Sequence, residues 1–410
     1  MEQQELIPHL FRSEYRKIVS VLCKRFGFDE IEAAEDIASE TFLTAAQTWG
    51  LGGLPLNPTA WLYQVAKNKA KNYLLRRTVF ENKIVPAMKI DSEVVFETEI
   101  DLSPQNISDS QLQMMFAICH PAISSEAQIG LSLRILCGFG IQEIAEAFLS
   151  NKETINKRLF RAREKLRAEK IKIEFPAPAG IEERLETVLT TIYLLFSEGY
   201  YSVSQNKTIR KELCFEAIRL CQMLVENKNT NKPQVNALLS LMYFHSSRFD
   251  ARINANGELV LYDDQDTSLW NNEMIIQGVY FLNTSASGDY LSKYHLEATI
   301  AFWNTQKADT LEKWENILQL YNRLLQIEYS PVAALNRTYA LAKANGKAEA
   351  IIAAEKLNLT GNHFYFALLG ELYTGIDNGK AKEHFEQAFL LAKTVVDKQA
   401  MRRKAERLSK

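Results

Sequence analysis

Three charged stretches within the first 172 residues contain side chains suited to binding charged partners. Six acidic residues and no basic one lie between Asp29 and Glu40, whereas five basic residues and no acidic one lie between Lys67 and Arg77. A third stretch, from Lys152 to Lys172, has nine Lys or Arg against three Glu. Lys and Arg can hold phosphates, and an acidic helix suits a basic protein surface. The pattern predicts separate surfaces for nucleic acid and for a protein, although the formal net charge is only -2.

The sequence offers little for covalent or metal chemistry. Its five cysteines are scattered without a CxxC pair, which argues against a disulfide framework and a zinc ribbon. Cys119-His120 lacks the further ligands of a metal site, and the acidic run at 263–266 lacks the spacing of a calcium loop. We find no nucleophile elbow, phosphate loop or zinc-protease motif. We therefore expect a protein that is not an enzyme and that needs no metal or cofactor.

Composition indicates what kind of elements must position these charged residues. Gly (17) and Pro (10) are few among 410 residues, and apolar residues recur at helical spacing, which predicts an all-α protein. The length suggests several domains, at about 100–200 residues each. The acidic N-terminus is unlike a signal peptide, and no stretch approaches the roughly 20 apolar residues of a membrane span. We expect a cytoplasmic protein without a membrane segment.

The first predicted module covers residues 1–80 and the linker after it residues 81–107. A turn-rich passage at 50–58 separates two groups of helical periodicity. Asn57 or Thr59 could cap a helix running from Trp61 to Arg77, with Pro58 in its first turn. The segment that follows is acidic and weakly periodic, which predicts a flexible linker.

The second predicted module covers residues 108–175, and a helical domain covers residues 181–410. A short helix at 141–148, a turn at 149–152 and a longer basic helix at 153–169 form a helix-turn-helix pattern. In the C-terminal domain a spacing of 33 or 34 residues is typical of tetratricopeptide repeats. The residues at this spacing are Leu335, Asn336, Tyr339 and Ala348 in the first copy and Leu369, Gly370, Tyr373 and Ala381 in the second. Phe385 completes the second copy.

Residues 35–43 resemble the acidic helix of region 2 in sigma-70-family factors of the extracytoplasmic-function group. That resemblance implies docking on the coiled coil of the polymerase β′ subunit, with apolar anchors beside the acids. The alternative is an acidic helix face that is merely solvated. The residues predicted to bind core polymerase are Glu35, Asp36, Ile37, Glu40 and Phe42.

Residues 57–77 are similar to the family's AWLxxIAxNxxxDxxR-type helix. The resemblance implies that this helix and the loop before it open the promoter −10 element and capture flipped bases. Core packing is the alternative for Trp61, and Asn72 stands where the family often has Asp. The residues predicted to bind −10 DNA are Trp61, Lys67, Asn68, Lys69, Lys71, Asn72, Arg76 and Arg77.

Residues 141–167 resemble region 4, whose family form is close to EIAxxLGxxxGTVxxRLxRAxxxLR and which reads the −35 element. Leu149 stands where the turn of the family usually has Gly, and Glu153 stands where the family usually has a small residue. A glutamate at this helix start suits the helix dipole but would repel nearby DNA phosphate. The residues predicted to enter the major groove are Thr154, Asn156, Lys157, Arg158 and Arg161.

The C-terminal segments 194–200 and 259–266 look like parts of sigma factors that carry a tetratricopeptide-like extension. The combined resemblance predicts a sigma factor that directs core RNA polymerase to promoters. Its expected partners are the β′ coiled coil and β flap of polymerase, promoter DNA and a protein bound by the C-terminal domain, which would regulate activity. The alternatives are a helix-turn-helix DNA-binding adaptor with a helical scaffold, and a sigma-like reader fused to an enzyme.

Overall fold

The structure is a computed structural model that describes residues 3–84, 100–148, 150–201, 210–252, 260, 262–392 and 395–408. These residues form helices joined by turns, and no strand occurs among them, which confirms the predicted all-α class. The chain divides into two compact units, Met1–Leu194 and Leu195–Lys410. Within the described ranges no helix is both long and apolar enough to cross a membrane.

Unit 1 is built around its first helix, which packs against both the second and the fourth. Tyr15, Ile18 and Leu22 of this first helix are almost completely buried, because apolar side chains at these spacings share one helix face. The helices are α1 Gln3–Phe26, α2 Ile31–Gly52, α3 Pro58–Ile84, α4 Pro104–Ile118, α5 Ser125–Leu131, a π-helix Ser132–Leu136, α6 Ile141–Ala147, α7 Lys152–Ala168 and α8 Ile181–Tyr201, whose last seven residues belong to unit 2.

The ends of α3 and α4 differ from the sequence-based prediction. Asn57 caps α3 by accepting a hydrogen bond from the Ala60 backbone N–H (3.0 Å), as expected, but the helix continues past Arg77 to Ile84. Ser103 caps α4, so this helix begins inside the segment predicted as a linker. Residues 85–99 of that predicted linker lie outside the described residues.

Helices α6 and α7 match the predicted helix-turn-helix spacing to within about two residues, and Leu149 in their turn lies outside the described residues. The Asn151 side chain starts α7 by accepting from the Thr154 backbone N–H at 2.8 Å. Ile155, Leu159 and Leu166 are buried along one face of α7. A Cβ added at Gly130 of α5 would lie 2.9 Å from Leu159 Cδ2, so the absence of a side chain there lets α5 approach α7 closely.

Unit 2 is a succession of helices in which neighbours along the chain pack on one another. The helices are α9 Lys211–Glu226, α10 Pro233–Ser246, α11 Asn272–Ser285, α12 Lys293–Trp303, α13 Leu311–Ile327, α14 Pro331–Asn345, α15 Lys347–Leu357, α16 His363–Tyr373, α17 Asn378–Leu391 and α18 Val395–Arg407.

The second copy of the predicted repeat forms the contact between α16 and α17. A Cβ added at Gly370 would come within 2.7 Å of the Phe385 ring, so only glycine lets the ring pack there. Leu369, Tyr373 and Ala381 are buried beside it. The prediction that Ala348 is equivalent to Ala381 was wrong, because Ala348 is exposed in the first turn of α15 and Ala350 is the buried residue.

Candidate nucleic-acid and protein interfaces

Helix α2 places its five predicted docking residues in different environments. Ile37 and Phe42 are 6% and 4% exposed, and the Phe42 ring contacts Phe11 edge to face at 5.1 Å between ring centroids. These two side chains therefore belong to the core of unit 1. Asp36 and Glu40 are exposed at the helix surface. In this conformation the exposed part of the predicted docking surface is acidic.

Glu35, the fifth predicted docking residue, is 8% exposed and lies between two arginines. Arg134 Nε donates to Glu35 Oε1 at 2.6 Å, and Arg163 Nη2 lies 3.5 Å from Glu35 Oε2. Arg134 comes from the π-helix, a rare geometry that often marks functional positions, and it also donates to the Phe139 carbonyl oxygen. Both carboxylate oxygens of Glu35 are therefore occupied from within the chain.

Glu32 is bound by two arginines of α7, one helical turn before Asp36. Arg163 Nη1 donates to Glu32 Oε1 at 3.0 Å, and Arg167 Nη2 donates to Glu32 Oε2 at 2.6 Å. Burial would raise the pKa of Glu32, but hydrogen bonds from the backbone and Arg163, with the charges of Arg163 and Arg167, lower it overall. Arg167 also donates to the backbone oxygens of Phe28 and Asp29.

One row of side chains on α3 is paired with the same acidic region. Lys69 Nζ donates to Glu40 Oε2 at 3.0 Å, and Arg77 Nη1 lies 3.4 Å from Glu30 Oε1. Tyr73, between them at helical spacing, donates its hydroxyl to Glu30. Burial and this hydrogen bond raise the pKa of Tyr73 to about 12. Two of the predicted −10 residues, Lys69 and Arg77, are thus in ion pairs within unit 1.

A second row on α3 is directed to solvent. Asn68, Lys71, Asn72 and Arg76 are all exposed and share one side of the helix, because residues three and four apart are neighbours. Amides can pair with base edges and cations can hold phosphates, so this row has the functional groups that a single-stranded nucleic acid requires.

The two remaining predicted −10 residues, Lys67 and Trp61, are half-buried. The Trp61 ring packs edge to face on Trp49, with 5.3 Å between the ring centroids, which fits the core-packing alternative. Trp61 thus contributes at least in part to the packing of α2 on α3.

The first two turns of α7 present most of the predicted −35 residues. Thr154, Asn156, Lys157 and Arg161 are exposed. Arg158 is half-buried, 3.5 Å from Glu126 Oε2, with its guanidinium 5.5 Å from the centre of the Phe148 ring. Glu153 pairs with Lys157 at 2.6 Å, so an acid neutralises one of the cations that was predicted to meet DNA.

Candidate reaction centres are few in the part of the chain that the structure describes. All five cysteines are buried and free, and burial raises the pKa of Cys119 to about 11 and that of Cys214 to about 12. Such thiols stay protonated and unreactive at neutral pH. No group of three or more His, Cys, Asp or Glu side chains able to hold a metal ion occurs among the described residues.

Sequence comparisons match two separate parts of the chain to protein families. Residues 10–79, which hold most of α1, all of α2 and most of α3, match the sigma-70 region 2 family. Residues 184–286, from α8 to the end of α11, match a family of unknown function, DUF6596. No solved structure matches the chain.

Two similar proteins extend these matches. An uncharacterized protein of Rhizobium meliloti is 32% identical over 372 residues, which cover 89% of this chain and 87% of the relative. The RNA polymerase sigma-H factor of Pseudomonas aeruginosa is 28% identical over 158 residues, which cover 37% of this chain and 79% of that factor. The chain is thus similar to sigma-70 family proteins at residues 10–79 and, at lower identity, over the 158 residues shared with this factor. It belongs, over most of its length, to the same family as the Rhizobium meliloti protein.

Proposed function

We propose that this protein is a sigma factor of the extracytoplasmic-function type, which brings core RNA polymerase to promoters. The observation that carries the proposal is the position of the region 2 match. It covers the helices that present exposed Asp36 and Glu40 on α2 and the exposed row Asn68, Lys71 and Asn72 on α3. An acidic surface for a basic protein helix and an amide and cation row for nucleic acid thus lie in one region.

In this proposal α2 docks on the β′ coiled coil of polymerase while α3 holds the melted −10 strand. Single-stranded DNA is bound by cations along its backbone and by groups that contact exposed bases. Lys71 and Arg76 would supply the phosphate contacts, and Asn68 and Asn72 the base contacts. Region 2 would therefore join polymerase and promoter through two adjacent helices.

Helix α7 would read the −35 element as the second helix of a helix-turn-helix. Its exposed N-terminal residues Thr154, Asn156 and Lys157 suit the major groove, where recognition helices place their first turns. Arg161 would extend the contact by one turn, and the polymerase β flap is the expected protein partner of this module. Glu153, where the family usually has a small residue, would place a negative charge beside the DNA phosphates at the start of this helix.

The C-terminal unit is proposed to be a tetratricopeptide-like regulator without enzymatic activity, working with polymerase in the cytoplasm. Its link to the −35 module is α8, whose first part packs in unit 1. Thr191 donates to Gln128 Oε1 of α5 at 2.8 Å, and Arg184 donates to the Phe116 carbonyl oxygen of α4. A partner that bends or shifts α8 would therefore disturb the helices that carry α7.

Run-off transcription with purified core polymerase on a genomic promoter library tests the proposal. The full chain should give specific transcripts that Asp36→Arg abolishes by reversing the charge of the docking surface. Arg158→Ala should weaken transcription from promoters that depend on a −35 element. DNA binding without polymerase binding or transcripts would instead favour a helix-turn-helix adaptor.

A further inference from the structure

We propose that Arg163 and Arg167 of α7, with Arg134, form an autoinhibitory clamp on α2 that must open before polymerase can dock. The inference rests on the proposed sigma-factor function. Arg134 and Arg163 occupy both carboxylate oxygens of Glu35, and Arg163 and Arg167 occupy both oxygens of Glu32. Because Glu35 belongs to the predicted docking surface, polymerase and the clamp compete for the same side chain.

The clamp joins segments that are far apart in the chain. Arg134 lies 99 residues from Glu35, and Arg163 lies 131 residues from Glu32. Among the residues that the structure describes, the hydrogen bonds and ion pairs between α7 and α2 or the turn before it involve Arg163 or Arg167. Leu159 and Leu166, on the apolar side of α7, are also buried in unit 1, and Leu159 lies beside Gly130 of α5. The Arg167–Glu32 pair, which is more exposed than the buried Arg163–Glu35 pair, can be exchanged for water or for another charged partner at modest cost.

The dimensions of a promoter also require this contact to open. The −35 and −10 elements are centred about 25 base pairs apart, or about 85 Å along straight DNA at 34–36 Å per helical turn. A compact unit of 194 residues has a radius of gyration of about 16 Å, and is therefore about 40 Å across. With Arg167 hydrogen-bonded to Glu32, the α3 and α7 surfaces cannot reach both elements together.

The clamp can be tested with the full-length protein by charge reversal at Arg167, whose side chain is more exposed than that of Arg163. Arg167→Glu places an acid against Glu32 and Asp29, which should separate α7 from α2. Lys165→Glu is the matched control, because it makes the same charge change at an exposed position of the same helix. Arg167→Lys keeps the charge but cannot reproduce all the hydrogen bonds to Phe28, Asp29 and Glu32, so it should open the clamp less than Arg167→Glu.

Two readouts separate the clamp from the proposed function. Dyes attached to Gln47→Cys and Glu169→Cys, both at exposed positions of a protein whose own cysteines are buried, report the distance between α2 and the end of α7 by energy transfer. Titration with purified core polymerase reports affinity. A clamp closed about 90% of the time weakens apparent affinity about tenfold, so opening it should strengthen binding by that factor.

Arg167→Glu is expected to lower energy transfer and strengthen polymerase binding about tenfold. Lys165→Glu should leave both unchanged, and Arg167→Lys should change both less than Arg167→Glu. Glu32→Gln should give the same changes in weaker form, and it keeps the test valid if Arg167→Glu does not fold. Unchanged energy transfer and affinity in Arg167→Glu and Glu32→Gln would overturn the clamp. Polymerase binding that is absent in every variant, or insensitive to Asp36→Arg, would instead overturn the proposed function.

Discussion

Helices α3 and α7 both direct cations at the acidic helix α2, but the two contacts differ in burial and in sequence distance. Lys69 of α3 meets Glu40, whose side chain is 62% exposed, and the two residues are 29 apart. Arg163 of α7 meets Glu35, and both side chains are about 90% buried. Exposed ion pairs add little to stability, whereas removing one partner of a buried pair leaves an uncompensated charge.

Helix α2 is thus neutralised on two sides, by an exposed contact with α3 and by a buried contact with α7. Its contact with α3 lies within one helical hairpin and leaves Asn68, Lys71 and Asn72 exposed. Its contact with α7 joins two segments that were predicted to bind polymerase and DNA separately. The first contact aligns neighbouring helices, and the second adds ion pairs to the packing of α1 on α4 that also joins the two predicted modules.

The largest expected effect is on stability and concerns the buried side of α2. Glu35→Ala leaves Arg134 and part of Arg163 without a carboxylate and should lower the free energy of opening of α2 by about 3 kcal/mol. Glu40→Ala, at the exposed pair with Lys69, should lower it by less than about 1 kcal/mol. Native-state hydrogen exchange of α2 amides in the full chain measures both values. Equal losses in the two variants would remove the distinction between the contacts.

A smaller effect is expected on DNA binding and separates the two rows of α3. Lys71→Ala removes an exposed cation, so it should weaken binding to single-stranded −10 DNA severalfold and reduce the salt dependence by about one counterion. Lys69→Ala should have the weaker effect, because Glu40 already neutralises that cation. Titrations of the core polymerase complex at several salt concentrations measure both. A stronger effect of Lys69→Ala would reverse the assignment of the rows.

The smallest effect concerns the first turn of α7. Glu153→Gln removes a negative charge near the expected phosphate path and releases Lys157 from its 2.6 Å ion pair. It should strengthen binding of −35 duplex DNA by about two- to fivefold, with a steeper salt dependence. Glu146→Gln, at an exposed position of α6, provides the matched charge control. Weaker binding by Glu153→Gln would mean that the acid contacts the DNA directly.

Local signals made much of the fold predictable. The helical period, the Asn57 cap and the turn between α6 and α7 gave helix positions close to those observed. The extension of α3 from Thr78 to Ile84 was missed because this stretch was grouped with the acidic, weakly periodic segment after it. It contains no Gly or Pro that would end a helix. The start of α4 was also missed, although Ser103-Pro104 is a strong pattern for a helix N-terminus.

The internal ion pairs could not be predicted from the sequence. A charge run shows that a helix carries charge but does not show which element faces it. Arg134 lies in an otherwise apolar segment, and its π-helical backbone has no signature in the sequence that we recognise. The burial of Ile37 and Phe42 is different, because these residues share a helical spacing with Ala34, Ala38 and Ala45, and an apolar row of this kind is typical of the core-facing side of a helix.

Equilibrium binding of purified core RNA polymerase to the full chain tests most directly whether α2 is the docking helix. Asp36→Arg should weaken binding at least tenfold, since it reverses the charge of an exposed residue outside the internal ion pairs described for Glu32 and Glu35. Gln47→Arg, which adds a positive charge at an exposed position nearer the end of the same helix, should bind like the unmodified protein. Equal affinity of all three proteins, or no binding by any of them, would contradict the account.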